Sequence, residues 1–401
     1  MLPVIIAGSG PSGSVLALYL GQRDIPVIML EKEPALPVDL RASTFHPPSL
    51  EMIHELGHGV IEAMLEKGLV ADRYQYRDRR TGEVASFDMS LIAKDTPYPF
   101  RLQLEQYEFT QMISDRLKAL DTVDQRFSQE VVGFTQHDDY IDVRIETPEG
   151  EATLCGAFLV SAEGARSSIR KQAGIDYLGF TYDEKFLVVS TSFPFEDVFD
   201  DLSWVNYVAD PDEWCVILRT EKLWRVLFPT TPENEDDEAL LLSDAFIQER
   251  LHHLYDKDGD YDIGHRTLYN VNQRVAETYY SGRVVLVGDA CHINNPLGGM
   301  GMNGGIHDAY NLAEKLYRVV VDGADHTEAF EHYNRQRRDL AVRFVQEHTI
   351  ANKKLMEATD EQTQRSRQKM LMETARDPEK ARAFLLERAM INCVRDAEAV
   401  A

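Results

Sequence analysis

The sequence predicts an α/β protein: a Rossmann-like domain in discontinuous segments, an inserted mixed-sheet region, and C-terminal helices. Three observations predict it. A strand, glycine turn, helix and second strand open the chain between Met1 and Glu31. Another strand runs into a carboxylate and a glycine-rich stretch at Val284–Gly305. Between them lies a long segment rich in aromatic and β-branched residues, which reads as sheet.

The opening unit comes first. Val4 to Ala7 is an apolar strand, and Gly8-Ser9-Gly10-Pro11-Ser12-Gly13 fits G-x-G-x-x-G. Glycines there permit a tight turn, close approach of a pyrophosphate and close helix–strand packing. Ser14 to Gln22 begins a helix whose N-terminus attracts phosphate. Ile25 to Leu30 is the second strand. It ends in Glu31, with Lys32 beside it, where an acidic side chain can hold ribose hydroxyls.

In Leu40–Phe109, Arg41 is a fixed charge before a helix expected from Pro48 to Leu56. His46 lies in the loop ahead of that helix and is a candidate to face a cofactor. His54 and His58 are spaced i, i+4, but no acidic or cysteine partner completes a metal set, so no metal is expected. Tyr74 to Asp88 is expected to form a hairpin turning at Thr81-Gly82-Glu83. The run from Leu102 to Leu120 is expected as an amphipathic helix with Phe109, Met112, Ile113 and Leu117 inward. Gln106, near its start, is a neutral hydrogen-bond candidate for a cofactor.

Val123 to Ile175 reads as a β-meander returning to the main sheet. It ends in the buried strand Phe158–Ser161 and the motif Ala162-Glu163-Gly164-Ala165-Arg166-Ser167. A carboxylate at a strand end beside glycine and arginine suits a phosphorylated sugar. Four strands are expected at Phe186–Phe193, Trp204–Val208, Trp214–Leu218 and Trp224–Phe228. A turn is expected at residues 209–213, an acidic loop over 229–238, and a helix over Leu240–Leu254. Arg219, Arg225, Tyr207, Trp204, Trp214 and Trp224 are the pocket candidates on this sheet. In Val284–Gly305, Asp289 ends the strand, where it can accept from sugar or ribityl hydroxyls. Five glycines follow (Gly298, Gly299, Gly301, Gly304 and Gly305), and a helix is expected from about Ile306. The C-terminal part is expected as helices to about Lys354, over Gln362–Arg376, and from an Asp377-Pro378 cap to about Asp396. One apolar stripe there can pack on the body or make a homodimer.

Two nucleotide-type sites so far apart decide between cofactors. A nicotinamide dehydrogenase needs one; an extended FAD needs one for its adenosine end and another for its ribityl–flavin end. The expected division is 1–73, 100–175 and 270–325 for FAD, 74–99 and 176–269 for substrate, and 326–401 as a helical region.

Composition narrows the function. Over 401 residues, 42 basic against 67 acidic residues give a net charge of −25, which argues against nucleic acid and anionic membranes. Four scattered cysteines form no CxxC, so reduced thiols and no disulfide framework are expected. No apolar run approaches the ~20 residues of a membrane span. The chain enters its first strand without a basic leader, so a cytoplasmic protein complete from residue 1 is expected.

With these sites in hand, the chain resembles the FAD-dependent aromatic hydroxylases, the para-hydroxybenzoate hydroxylase-like flavoprotein monooxygenases. The resemblance spans roughly residues 1–350. It rests on three fingerprints in the family's order: GSGPSG with Glu31, AEGARSSIR at 162–170, and VGDACHINNPLGGMGMNGG at 287–305. It implies that Glu31 binds the adenosine ribose and that Arg41 lies near the ribityl chain and flavin. It places Gln106 at a family glutamine and Val131 where backbone meets adenine. It implies that Asp289 binds the ribityl chain and that Pro296 to Asn303, including Gly299, Gly301 and Met302, line the isoalloxazine. Arg225 resembles an arginine position near the flavin. Two departures stand out: Glu163-Gly164 replaces the usual D-G, and Asn295-Pro296 keeps one of two prolines.

The resemblance implies reduction by NADPH or NADH, reaction with O2, and transfer of oxygen to a phenolic or related ring. The candidates for the reacting pocket are Arg225, His46 and Tyr207; His292 is expected to be structural. Alternatives are a flavin halogenase or reductase on the same scaffold, though no WxWxIP signature is present, or a non-catalytic FAD-binding redox sensor. The residues do not name the substrate.

Overall fold

The computed structural model describes residues 1–210, 213–230, 238–356 and 360–400. Its organising layer is a six-stranded sheet. In spatial order the strands are Tyr280–Ser281, Val284–Leu286, Phe158–Ser161, Val4–Ala7, Val27–Leu30 and Val123–Arg126. All neighbours are parallel except the first pair. Parallel strands covered on both faces must be apolar throughout, and Val4–Ala7, Phe158–Ser161 and Val284–Leu286 are buried at every position. The sheet brings all three fingerprints to one edge, because each follows the C-terminal end of a central strand.

One face carries the helices Pro11–Gly21, Gln106–Leu117 and Met300–Val321. The other carries an antiparallel meander, Glu130–Gln136, Ile141–Thr147 and Gly150–Gly156. A small sheet of Thr44–Phe45, Arg101–Gln103 and Leu69–Ala71 lies apart. Leu102 and Gln103, expected as helix, are therefore strand. Their alternation puts Leu102 into the core and leaves Arg101 and Gln103 on the opposite face.

The second large layer is an eight-stranded sheet. Its order is His292–Ile293, Ile263–Ala276, Tyr177–Thr191, Trp224–Pro229, Cys215–Arg219, Val205–Ala209, Arg73–Asp78 and Val84–Asp88. Its pairs are antiparallel except Val205–Ala209 with Arg73–Asp78, so the sheet is mixed. The strand Ile263–Ala276 gave no clear sequence signal, and the expected 269/270 boundary falls inside it. One face packs on the helix Asp244–Leu254. The other carries Tyr74, Tyr76, Phe87, Phe186, Tyr207 and Trp214, and is covered by the C-terminal helices.

The helix expected over 240–254 breaks in two, because the Ser243 side chain accepts from Phe246 N–H and starts a new one. The expected turn at 209–213 and acidic loop at 229–238 lie partly outside the described residues.

Asp377 caps the helix Pro378–Arg388 by accepting from the Glu379 and Lys380 amides. Beyond its end, Met390, with a φ of 63°, redirects the chain and is the N-cap of the helix Ile391–Glu398. Leu371, Leu385, Leu386 and Ile391 pack on the eight-stranded sheet, and Phe384 stacks on Phe87 at 4.5 Å. The apolar stripe is thus used within the chain.

Candidate flavin and substrate site

The glycine turn after Val4–Ala7 is sterically fixed. Gly8 has φ +109°, and a Cβ there would stand 2.3 Å from the Ala162 carbonyl oxygen. A Cβ at Gly13 would meet the Gly8 carbonyl at 2.1 Å, so only glycine lets the helix pack on the turn. At Gly10 a Cβ would meet nothing within 4 Å, which leaves the turn open on its outer side. Glu31 holds this turn: one carboxylate oxygen accepts from Ser9 N–H (3.0 Å) and the other from Glu33 N–H (3.1 Å). Lys32 is exposed. Ser12 fits against Gly288 and Gly305, where any Cβ would come within 2.4 and 2.5 Å of its Oγ. The first and third fingerprints therefore touch.

The long helix of the third fingerprint begins at Met300, not near Ile306. Gly299, with φ 67°, is its N-cap. Gly301, Gly304 and Gly305 thus lie inside the helix. Contact explains the last two: a Cβ at Gly304 would stand 2.9 Å from the His292 ring, and one at Gly305 would strike Ser12. Asn303 closes the first turn. Its amide donates to Gly299 and Thr44 carbonyls (2.7 and 2.8 Å), and its oxygen accepts from His46 N–H at 2.8 Å.

Behind this turn, Asp308 accepts from Arg337 (2.7 Å) and pairs with His292 (2.8 Å), all three buried. Burial would raise the Asp308 carboxyl, but the His292 and Arg337 charges outweigh it and hold it below the usual range. His292 is thus a structural partner, as expected.

Asp289 sits in the turn after Val284–Leu286. Arg170 donates to the Ala290 carbonyl (3.1 Å) and Tyr177 to that of Asp289 (2.9 Å). The middle fingerprint, which supplies Arg170, therefore supports the third. Asp289 is exposed, though surrounded by protein groups. Crowding by protein raises its carboxyl, while His292 and Arg41 pull it back. Arg41, paired with Asp39 at 3.2 Å, thus faces Asp289 electrostatically.

Glu163, expected as a sugar ligand, is held by its own turn. Its carboxylate accepts from Ser161, Ser167 and Ser168 hydroxyls and from Ile169 N–H, at 2.7–3.1 Å. Three of these bonds fall on one oxygen and one on the other, and they fix the turn that leads into the helix Ser168–Gln172, which Ser167 caps. Gly164, with φ +80°, makes the turn possible.

Val131 is buried beside a β-bulge, where Gly133 pairs with Arg144 and Val131 with Ile145. Gln106 donates its backbone N–H to Ala42 O and is half-buried. Gln273, Asn295 and Asn352 were not anticipated. Gln273 accepts from both Asn295 nitrogens (3.0 and 3.3 Å), and Asn352 donates to Leu297 O at 3.2 Å. They fix the loop that carries Pro296 and Gly298 from behind.

Three buried polar atoms along this path have no partner: Ser9 Oγ in the glycine turn, Gln129 Oε1 next to Glu31, and Asn294 Oδ1 next to Gly301. Buried polar atoms are normally satisfied. Their spread from turn to loop fits an extended dinucleotide such as FAD. The residues that would hold it are the Gly8–Gly13 turn, Glu31, Asp289 and the Pro296–Asn303 segment.

The expected reacting residues prove to be tied down. His46 is fully buried and bonds through Nε2 to Gly298 O at 2.8 Å. Burial, with Arg101 nearby, pushes its pKa well below the ordinary value. Arg225 grips Glu105 with two bonds of 2.9 and 3.0 Å and donates to Arg41 O at 2.6 Å. Burial raises the Glu105 carboxyl, against the pull of Arg225. Tyr207 stacks on Tyr76 at 4.9 Å, and its hydroxyl lies 3.4 Å from Arg101.

The other pocket candidates divide by face. Arg225 and Trp214 share the Tyr207 face. Arg219 lies opposite, 3.7 Å from Glu196 and over Trp224, and Trp204 packs against Trp224.

The chain's similarities agree with this geometry. A family model described as an FAD binding domain matches residues 1–348. Para-nitrophenol 4-monooxygenase of Pseudomonas sp. (strain WBC-3) is 31% identical over 398 residues, covering 97% of this chain and 96% of that protein. 6-Hydroxy-3-succinoylpyridine 3-monooxygenase of Pseudomonas putida is 30% identical over 325 residues, covering 80% of each. The crystal structure of p-nitrophenol 4-monooxygenase from Pseudomonas putida DLL-E4 superposes with a TM-score of 0.90 at 30% identity, covering 97% of this chain and 98% of that one. The halogenase, reductase and sensor alternatives find no support among these relatives. With a matching domain model, full-length relatives and a cradle shaped for an extended dinucleotide, the chain belongs to the FAD-dependent aromatic hydroxylases and is a flavoprotein monooxygenase.

Proposed function

We propose that the chain hydroxylates a small phenol, with NADH or NADPH as electron donor and O2 as oxygen source. The observation that carries this reading is the aromatic face of the eight-stranded sheet. Tyr74, Tyr76, Phe87, Tyr207 and Phe384 form one aromatic cluster with Leu297 of the flavin loop. A single ring fits such surroundings by stacking and edge contacts. Relatives bear names of phenol-directed enzymes, p-nitrophenol and pentachlorophenol among them.

Bound FAD would supply the redox and oxygen-activating chemistry. The protein's part is to bind, orient and exclude water. The Gly8–Gly13 turn with Ser9 and Ser12 would hold the pyrophosphate, Glu31 the adenosine ribose, and Val131 the adenine through its backbone. Asp289 would accept from the ribityl chain, with Arg41 and Gln106 nearby. Pro296 to Asn303 would line the isoalloxazine, and the N-terminus of the Met300 helix favours negative charge there. His46 and Arg225 would position this loop and its cover, while Tyr207 lines the pocket. The unpaired thiols suit a reducing compartment such as the cytoplasm.

NADH and NADPH oxidation by the purified protein, with and without a panel of phenols, tests the proposal. The expected result is phenol-stimulated oxidation with a hydroxylated product. A yellow protein inert to both coenzymes with every phenol would overturn it.

A further inference from the structure

A polar set centred on Arg101, a residue given no role above, lies beside the flavin loop and the aromatic sheet. Arg101 is 3% exposed, yet no carboxylate among the described residues lies within ion-pair distance of it. Its Nη1 donates to the Tyr207 hydroxyl, its guanidinium lies 4.2 Å from the Tyr74 ring centroid, and its Nε is buried without a partner. A buried cation without a counter-charge is costly, so such groups are normally paired. Arg101 does not stand alone. Gln103, two residues along the same strand face, has an unpartnered Nε2. His46, on the paired strand's side, has an unpartnered Nδ1, and Tyr74 has an unpartnered hydroxyl. Four buried side chains thus hold polar atoms with no partner in one region, between the flavin loop and the aromatic sheet. Water-bound surfaces do not look like this; a site awaiting a charged, hydrogen-bonding guest does.

We propose that Arg101 is the anion anchor of the substrate pocket, taking the ring oxygen of the substrate as a phenolate between Tyr74 and Tyr207. The inference rests on the phenol-hydroxylase reading and narrows it: the preferred substrates are phenols acidic enough to ionise near neutrality. On binding, the phenol O–H proton goes to bulk water and the guanidinium keeps its charge. A phenolate is also the more electron-rich ring, so the same contact that selects the substrate prepares it for oxygen transfer. Gln103 supplies a second donor on the same strand face. The lowered His46 value is in keeping with a positive neighbour.

The test uses the FAD-loaded enzyme and 4-nitrophenol, whose ionised form has its own visible band, with 4-nitroanisole as the analogue that cannot ionise. Difference spectra at a pH below the ligand's own pKa should show wild-type protein binding the phenolate, with one proton released. Arg101→Gln should weaken nitrophenol binding on the order of 10- to 100-fold and leave nitroanisole binding within about twofold. Arg101→Lys should recover part of the loss. FAD content, measured on every variant, separates a lost anchor from a misfolded one. If well-folded Arg101→Gln bound the phenolate as wild type does, the anchor would be wrong, even with phenol turnover intact. If wild-type protein bound phenolate through Arg101 but hydroxylated no phenol, the anchor would stand and the hydroxylase reading would fall.

Discussion

Two buried arginines on the same side of the molecule are treated in opposite ways. Arg225 is fully engaged: it chelates Glu105 and caps the Arg41 carbonyl, joining the eight-stranded sheet to the segments that carry those two residues. Arg101 has a hydroxyl and an aromatic face but no counter-ion among the described residues. The contrast separates groups that the fold satisfies for its own stability from groups left for a ligand. The same division runs through the cofactor cradle. Asp308 is held by Arg337 and His292 within the fold, whereas Asp289 is exposed.

The sharpest way to break this comparison is to remove the partner of the engaged arginine. Glu105→Ala leaves Arg225 buried and unpaired and should cost about 3–5 kcal/mol in urea unfolding. A loss under about 1 kcal/mol would mean that the clasp is not a structural pair. Asp289→Ala, on the ligand side of the division, should leave the protein folded but weaken FAD retention by about 1.5–3 kcal/mol, read by flavin titration. Unchanged FAD affinity would remove Asp289 from the site.

A pH titration sharpens the same point for buried histidines. His46 is pushed well below the ordinary value of 6.5 and His307 to about 3, both mainly by burial. The unfolded chain therefore takes up protons that the folded chain refuses. Stability should be full above about pH 6.5 and fall as the pH drops below it, by ~1.4 kcal/mol per pH unit for each group. Denaturation midpoints that stay flat from pH 7.5 to about 5 would contradict the neutral, buried assignment. The smallest loss belongs to Arg101→Met: deleting an unpaired buried charge should leave the ligand-free protein as stable as before or more stable. A drop as large as that of Glu105→Ala would place Arg101 with the structural pairs.

Local chemistry made much of this legible in the sequence. The Gly8–Gly13 turn, the strand ends at Glu31 and Asp289, and the Asp377 cap are each set by residues within one turn of one another. What stayed hidden depends on distance or on parity. Arg225 meets Glu105 across 120 positions, which no local pattern shows. Arg219 lies opposite Trp224 across a tight hairpin, so it shares that residue's face and not that of Arg225. Glu163 could be recognised as a strand-end carboxylate, but not that three serines following or preceding it would donate to it. The helix from Met300 was placed too late because glycine disfavours helix; Gly304 and Gly305 are there because His292 and Ser12 press against them. The function of the C-terminal helices was also out of reach, since their apolar positions show that something is covered but not that it is the aromatic sheet.

Turnover of a phenol with reduced nicotinamide under isotopically labelled O2 tests the central claim most directly. The account predicts one labelled oxygen atom in each hydroxylated product, formed only when FAD is bound. Reduced nicotinamide consumed with no labelled product from any phenol, or a new hydroxyl carrying oxygen from water, would contradict it.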